Sequence, residues 1–292
     1  MKPSISDNLE TCKETRLIAA QSLAKVLKNA LGSSEEISEA DFSEQWLKEL
    51  QKNKNVFLSG WYTPPPNGMG VLFANESDFD RVHFKSLRNK KFWPKKNVFL
   101  DRKKGYLNFY FSPVAQKNYI IGDFGLTVYL GSKDQIKNHL KHSFKVIKEI
   151  FNGAKSGTKL KDFYQYSQKI FSKNKVVNNW WVSVSDPTGI NTGHSIPGTF
   201  EDWTHKEMRN LKSNNWGIVT RTISQKRIFI NSQEETKIKP GAAITIEPRL
   251  RKTPFLPIAF FHTIAIFGDN GKKELLTNFD EIFKISKMNY ML

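Results

Sequence analysis

The chain has 292 residues, 39% of them hydrophobic and 13% aromatic, with a formal net charge of +17. That is enough apolar material for a large core in one domain or two lobes, which excludes a disordered chain, and no stretch reaches the about 18 uncharged apolar residues of a membrane span. The single Cys12 excludes an internal disulfide framework and a cysteine-based zinc site, because both need several sulfurs.

In chain order, Met1 to Glu14 is polar and carries Asp7, Glu10 and Glu14, unlike the basic start and apolar core of a secretory signal, so a cytoplasmic setting is expected. Leu17, Ala20, Leu23, Leu27 and Leu31 recur at helical steps and Gly32 offers a stop. A second helical pattern runs from Ser38 to Lys52 with Phe42, Trp46 and Leu50 in register, followed by a strand-like Val56-Phe57-Leu58 and a loop at Pro64-Pro65-Pro66-Asn67-Gly68. Helices over Ile136–Phe151 and Leu160–Lys173, with Gly153 between them, repeat that order. Aligning Asp41-Phe42 with Asp162-Phe163 also matches Lys48 to Lys169, which suggests two similar halves. Beyond them the pattern turns to strands: a hairpin of Ile218–Ile223 with Arg227–Ile230, then Ala243–Ile246 and Pro257–Phe267. The whole is α+β, without the regular alternation or Gly-rich phosphate loops of a nucleotide-binding fold.

Lysines are spread along the chain, Lys13 and Lys287 among them, and basic residues are densest at Arg88, Lys90, Lys91, Lys95 and Lys96. No RNA- or DNA-binding signature accompanies them, so a solvated basic surface is expected rather than a nucleic-acid interface.

Three segments place one candidate metal ligand each beside Gly or Pro: Gly122-Asp123-Phe124-Gly125, Gly193-His194-Ser195-Ile196-Pro197-Gly198, and Lys239-Pro240-Gly241-Ala242-Ala243-Ile244-Thr245-Ile246-Glu247-Pro248. Carboxylates and a neutral imidazole converging from different elements are what a divalent ion in a hydrolase requires. Taken singly, each of Asp123, His194 and Glu247 is commonplace as a turn or strand-end residue. Ser195 has no His-Asp arrangement around it that would make it a nucleophile.

Together these segments, in this order, resemble the pita-bread family of methionine aminopeptidases, prolidases and aminopeptidase P, over roughly Thr15 to the C-terminus. Lys239 to Pro248 is similar to the family's strand delivering a metal-binding Glu, Gly193 to Ile196 to the segment delivering its His, and Gly122 to Gly125 to the turn carrying the second of two aspartates. His262-Thr263-Ile264 resembles the final strand. The resemblance implies a single pita-bread domain over 1–292, a curved antiparallel sheet with helices on its outer face and pseudo-two-fold halves. The span 202–238 is longer than the family pattern leaves room for and reads as an insertion.

The same comparison shows departures. The family's first metal-binding Asp should fall within Tyr110 to Gln116, which holds no acidic residue, and Asn108 is the nearest polar substitute. The Glu expected immediately before a His-Thr pair is Phe261, and the position of a second His falls on Glu201. The residues retained all belong to one of the family's two ion positions, so the resemblance implies at most one divalent ion, Mn, Fe, Co or Zn, on Asp123, His194 and Glu247. Glu201 or His205 is then the candidate acid or base. Two functions remain open: a metal-dependent aminopeptidase or Xaa-Pro peptidase-like hydrolase acting on a peptide substrate, and a catalytically degenerate protein, with or without a metal, that binds a peptide or protein. Trp180-Trp181 is a candidate pocket wall, although adjacent aromatics are more often core.

Overall fold

The computed structural model describes residues 5–178 and 186–292. Trp180-Trp181 lies outside them. The first helix, α1, spans Ile5–Gly32. It buries Ala20, Leu23 and Leu27 as the spacing predicts, with Leu31 packed half-buried against the core, while Leu17 is 41% exposed and Ala19, Val26 and Ala30 widen the face. Helix α2, Glu39–Leu50, opens on a capping box in which Ser38 and Asp41 satisfy each other's backbone, and it buries Phe42, Trp46 and Leu50 as expected. Strands β1 (Gly70–Asn75), β2 (Gly105–Phe111) and β3 (Phe124–Tyr129) follow. The second half repeats the plan with α3 (Asp134–Gly153), α4 (Leu160–Lys173), and later β4 (Ala243–Ile246), β5 (Arg249–Leu250), β6 (Ala259–Phe267) and β7 (Lys273–Leu276). Asp41 and Asp162 both occupy the third position of their helices, and Phe42 and Phe163 beside them are both buried, so the weak duplication in the letters marks equivalent places.

All seven strands join one antiparallel sheet in the order β1-β2-β3-β6-β4, with β5 and β7 also pairing β6. The two halves therefore meet where β3 pairs β6, at Gly125↔His262 and Leu126↔Phe261. Helix α1 crosses this seam so closely that a Cβ on Gly122 would lie 2.3 Å from the Arg16 nitrogen, which is why the turn before β3 needs glycine. No helix among the described residues is long and apolar enough to cross a membrane.

Two expected strands are absent. Val56 makes only an isolated bridge to Ala115. Ile218–Ile223 belongs to helix α6 (Trp216–Gln225), capped by Asn215 and burying Val219, Thr220, Thr222 and Ile223. Its β-branched residues invite a strand reading, but tertiary burial on one helical face overrides that preference. Arg227–Ile230 is extended as predicted, yet its partner is the His194 segment: Ser195 N–H donates to the Ile228 carbonyl at 2.8 Å and Ile230 N–H to the Gly193 carbonyl at 2.9 Å. The span 202–238 thus holds α5 (His205–Leu211) and α6, and returns to brace the candidate site. Helix α7 (Asp280–Ile285) closes the chain against α1.

Candidate metal centre

Asp123 stands at the entry to β3, His194 in the extended segment beside β4, and Glu247 directly after β4. Donor atoms of all three lie within 4.8 Å of one another. Each backbone is held. Gly193 lets the His194 segment close onto β4, since a Cβ there would sit 2.2 Å from the Thr245 carbonyl oxygen. His194 N–H donates to Thr245 Oγ1 at 2.8 Å, Thr245 N–H to the His194 carbonyl at 2.7 Å, and Glu247 N–H to the Thr192 carbonyl at 2.9 Å. Arg16, fully buried on α1, reaches the carbonyl of Asp123, the carbonyl of His262 at 2.8 Å and the carbonyl of Thr277 at 2.6 Å.

The side chains are arranged to ligate. His194 Nδ1 lies 2.9 Å from the Ser195 carbonyl, which can only accept, so Nδ1 carries the proton and Nε2 presents its lone pair. That Nε2 faces Asp123 Oδ2 at 3.5 Å and Glu247 Oε1 at 3.8 Å. Asp123 is 1% exposed and neither of its oxygens has a hydrogen-bond partner. Burial by itself would push its carboxyl up, but the neighbouring imidazoles of His194 and His262 outweigh it and hold the group well below the usual carboxylate range. A buried, ionised and unbonded carboxylate is costly in the absence of a cation, so the residues present fit a bound dication.

The sequence reading missed His262. Its Nδ1 lies 3.1 Å from Glu247 Oε2 and 3.6 Å from Asp123 Oδ2. Phe261, expected at the lost carboxylate's place, faces the other side of the sheet and packs on Phe144, Phe279 and Phe283 at 5.2–6.4 Å between ring centroids. Strand alternation, with Ile246 opposite Thr263, sets Glu247 and His262 on one face. The available signal was that alternation, not the spacing within the motif.

The polar residues at and near the stretch that lacks an acid have partners of their own. Asn108 accepts from Thr127 Oγ1 at 2.7 Å and takes no part in the centre. Within the stretch that lacks an acid, Ser112 is fully buried and accepts from Trp61 Nε1 at 2.7 Å. The Trp61 indole stands edge-on to His194 at 6.1 Å and carries the Arg227 guanidinium on its face at 4.5 Å. Arg249, buried between Phe84 and Phe260, adds a second guanidinium near Glu247, and burial lowers its pKa to about 9.

Glu201 and His205 are exposed and make no hydrogen bond or ion pair with Asp123, His194 or Glu247. Glu201 faces Lys226 at 3.6 Å, and His205 begins α5 within the Thr204–Glu207 capping box.

The family model described as Metallopeptidase family M24 matches residues 12–269. The chain belongs to that family. Its sheet and paired helices are the family's pita-bread fold. Among solved structures, methionine aminopeptidase from Rickettsia prowazekii aligns at 13% identity and a TM-score of 0.61, over 95% of this chain and 99% of that one. X-Pro aminopeptidase from Thermotoga maritima aligns at 11% identity and a TM-score of 0.61, over 93% of this chain and 61% of that one. Prolidase from Pyrococcus furiosus aligns at 14% identity and a TM-score of 0.59, over 93% and 64%. The M24 chain thus spans about three-fifths of the length of the X-Pro aminopeptidase and prolidase it matches. No curated protein matches.

Proposed function

We propose that this M24 chain is a metal-dependent, peptidase-like hydrolase that holds one divalent ion on Asp123, His194 and Glu247 and cleaves an N-terminal residue or an Xaa-Pro bond from a short peptide. The observation that carries this reading is Asp123, a buried anion whose two oxygens lack hydrogen bonds while an imidazole lone pair and a second carboxylate face it. A dication held there supplies a lowered pKa for a bound water and polarisation of a peptide carbonyl. The chain supplies the rest. Asp123 and Glu247 balance charge, the Ser195 carbonyl fixes the His194 tautomer, and Trp61 and Phe229 wall off the imidazole at 6.1 and 6.3 Å. A surface cleft lined by Trp61, Thr63, Arg88, Thr220, Arg221 and Gln225 adjoins this wall and offers a peptide polar and cationic contacts.

Glu201 and His205, the acid–base candidates from the sequence, act only if substrate binding draws the 201–205 segment inward. A fall in kcat of about 100-fold in Glu201→Gln or His205→Ala supports that role, and unchanged rates in both remove it. We further propose a cytoplasmic setting, consistent with a lone, buried thiol.

Metal analysis of protein purified without chelator, followed by a panel of short peptides, tests the reading. We expect about one ion per chain and metal-stimulated release of an N-terminal amino acid that disappears in His194→Ala. A second reading, an inert peptide-binding module, draws on the hydrogen bond from Trp61 to Ser112 in the stretch where the family pattern expects an acid. A folded, metal-loaded chain inert to every peptide favours that reading, which requires saturable peptide binding that survives Glu247→Ala.

A further inference from the structure

The ends of β3 and β4, strand β6 and the extended His194 segment bring four donors together at the sheet seam, and the fourth, His262, is an imidazole where the family pattern has a carboxylate nearby. His262 is 5% exposed, and its Nδ1 is buried without a hydrogen-bond partner. That nitrogen faces Glu247 Oε2 at 3.1 Å and Asp123 Oδ2 at 3.6 Å, in contacts whose geometry does not make hydrogen bonds. His194 Nε2 faces the same two carboxylates at 3.5 and 3.8 Å. Asp123 and Glu247 therefore each face two imidazole nitrogens.

The His262 ring is fixed independently of any ligand. Phe260 and Tyr110 both meet it edge-on, at 4.4 and 5.3 Å, so the imidazole is confined by aromatic neighbours. The Arg16 guanidinium holds the His262 carbonyl at 2.8 Å and the Asp123 carbonyl as well, which locks β6 and β3 in mutual register at the two donors. A polar nitrogen buried without a hydrogen bond is destabilising. Such a cost is tolerated where the atom serves a ligand.

We propose that His262 is a fourth ligand and that this chain builds a mononuclear centre of two imidazoles and two carboxylates, selective for zinc over manganese. The inference rests on the one-ion reading above and adds to it the identity of the donor and the class of metal. Imidazole suits zinc, whereas carboxylate and water suit manganese, so a nitrogen in place of an oxygen shifts the preference toward the softer ion. Two neutral imidazoles with two carboxylates also neutralise a single dication without remainder.

The test uses the full chain stripped of metal, with Zn2+ and Mn2+ titrated against a chromophoric competitor and Co2+ added as a spectroscopic probe. Wild type should take one zinc per chain. His262→Ala should lose at least about tenfold in zinc affinity, the low end of what loss of a supporting partner costs a metal site, and should change the Co2+ visible band. His262→Glu should bind zinc but show a smaller zinc-to-manganese affinity ratio than wild type. His262→Gln, which keeps a planar polar side chain, guards against a folding defect and should repeat the zinc loss with an unchanged far-ultraviolet spectrum. Wild-type zinc affinity and an unaltered Co2+ band in both His262→Ala and His262→Gln overturn the inference while leaving the three-ligand reading in place. A wild-type chain that takes up no ion overturns both.

Discussion

His139 shows what burial does to a titratable group that has no part in the centre. It lies on α3 at 3% exposure, with Nε2–H donating to the Pro257 carbonyl at 2.9 Å and Nδ1 without a hydrogen-bond partner. Burial pushes its pKa down to about 4, against the hydrogen bond to Pro257. The folded state then binds fewer protons than the unfolded state between pH 6.5 and 4, so stability is complete above that window and falls with acidification through it. We expect a loss of about 2 kcal/mol between pH 7 and pH 5 from this residue, from the linkage of a shift of this size. Urea denaturation at the two pH values checks it: His139→Gln should flatten the slope, and an equal slope in both proteins removes the assignment. The basic run tells a related story of local partners. Arg88 stacks on Tyr62 at 4.6 Å and donates to the Thr63 carbonyl, and Lys90 lies over Trp93 at 5.7 Å, so part of the charge density has structural neighbours in the fold.

Among the elements, α1 does more than cover the sheet. Its Arg16 bonds three carbonyls and the Asn278 side chain and stacks on Phe124 and Phe279 at 5.1 and 5.4 Å. Arg16→Met keeps the stem but strands those carbonyls, and each buried orphan costs about 1–3 kcal/mol. A loss of at least about 3 kcal/mol is expected, with metal affinity reduced in the fraction that remains folded; a urea midpoint equal to wild type contradicts the role. Helices were legible wherever apolar residues recurred on one face, as in α4, whose bounds coincide with Leu160–Lys173. The failure at α6 has the opposite cause, because Ile218, Val219, Thr220, Thr222 and Ile223 are β-branched and only their docking decides between the two periods. Trp216 donates to the Gly60 carbonyl at 3.1 Å and packs on Phe57 at 5.1 Å, contacts far apart in the chain that no local pattern encodes.

For the whole molecule, the centre joins both halves, since Asp123 comes from the first and His194, Glu247 and His262 from the second. A cation binding only the folded form must therefore stabilise the entire chain. At a hundredfold excess over Kd the gain is about 2.7 kcal/mol, several degrees in Tm for a chain of this size. Thermal melts with and without metal should show that shift in wild type, its reversal by chelator, and none in Asp123→Asn; a wild-type melt indifferent to every divalent ion refutes a shared centre. The sequence by itself determined the helix pairs, the α+β class and the Asp123, His194 and Glu247 segments, because turns rich in Gly and Pro and helical periodicity are local properties of neighbouring residues. Only the tertiary structure decided that His262 rather than Phe261 faces the centre, that Trp61 lies against Ser112, and that Arg227–Ile230 pairs with the His194 segment. Those outcomes depend on strand register and on which side of a sheet a residue faces, and a shift of a single residue reverses them.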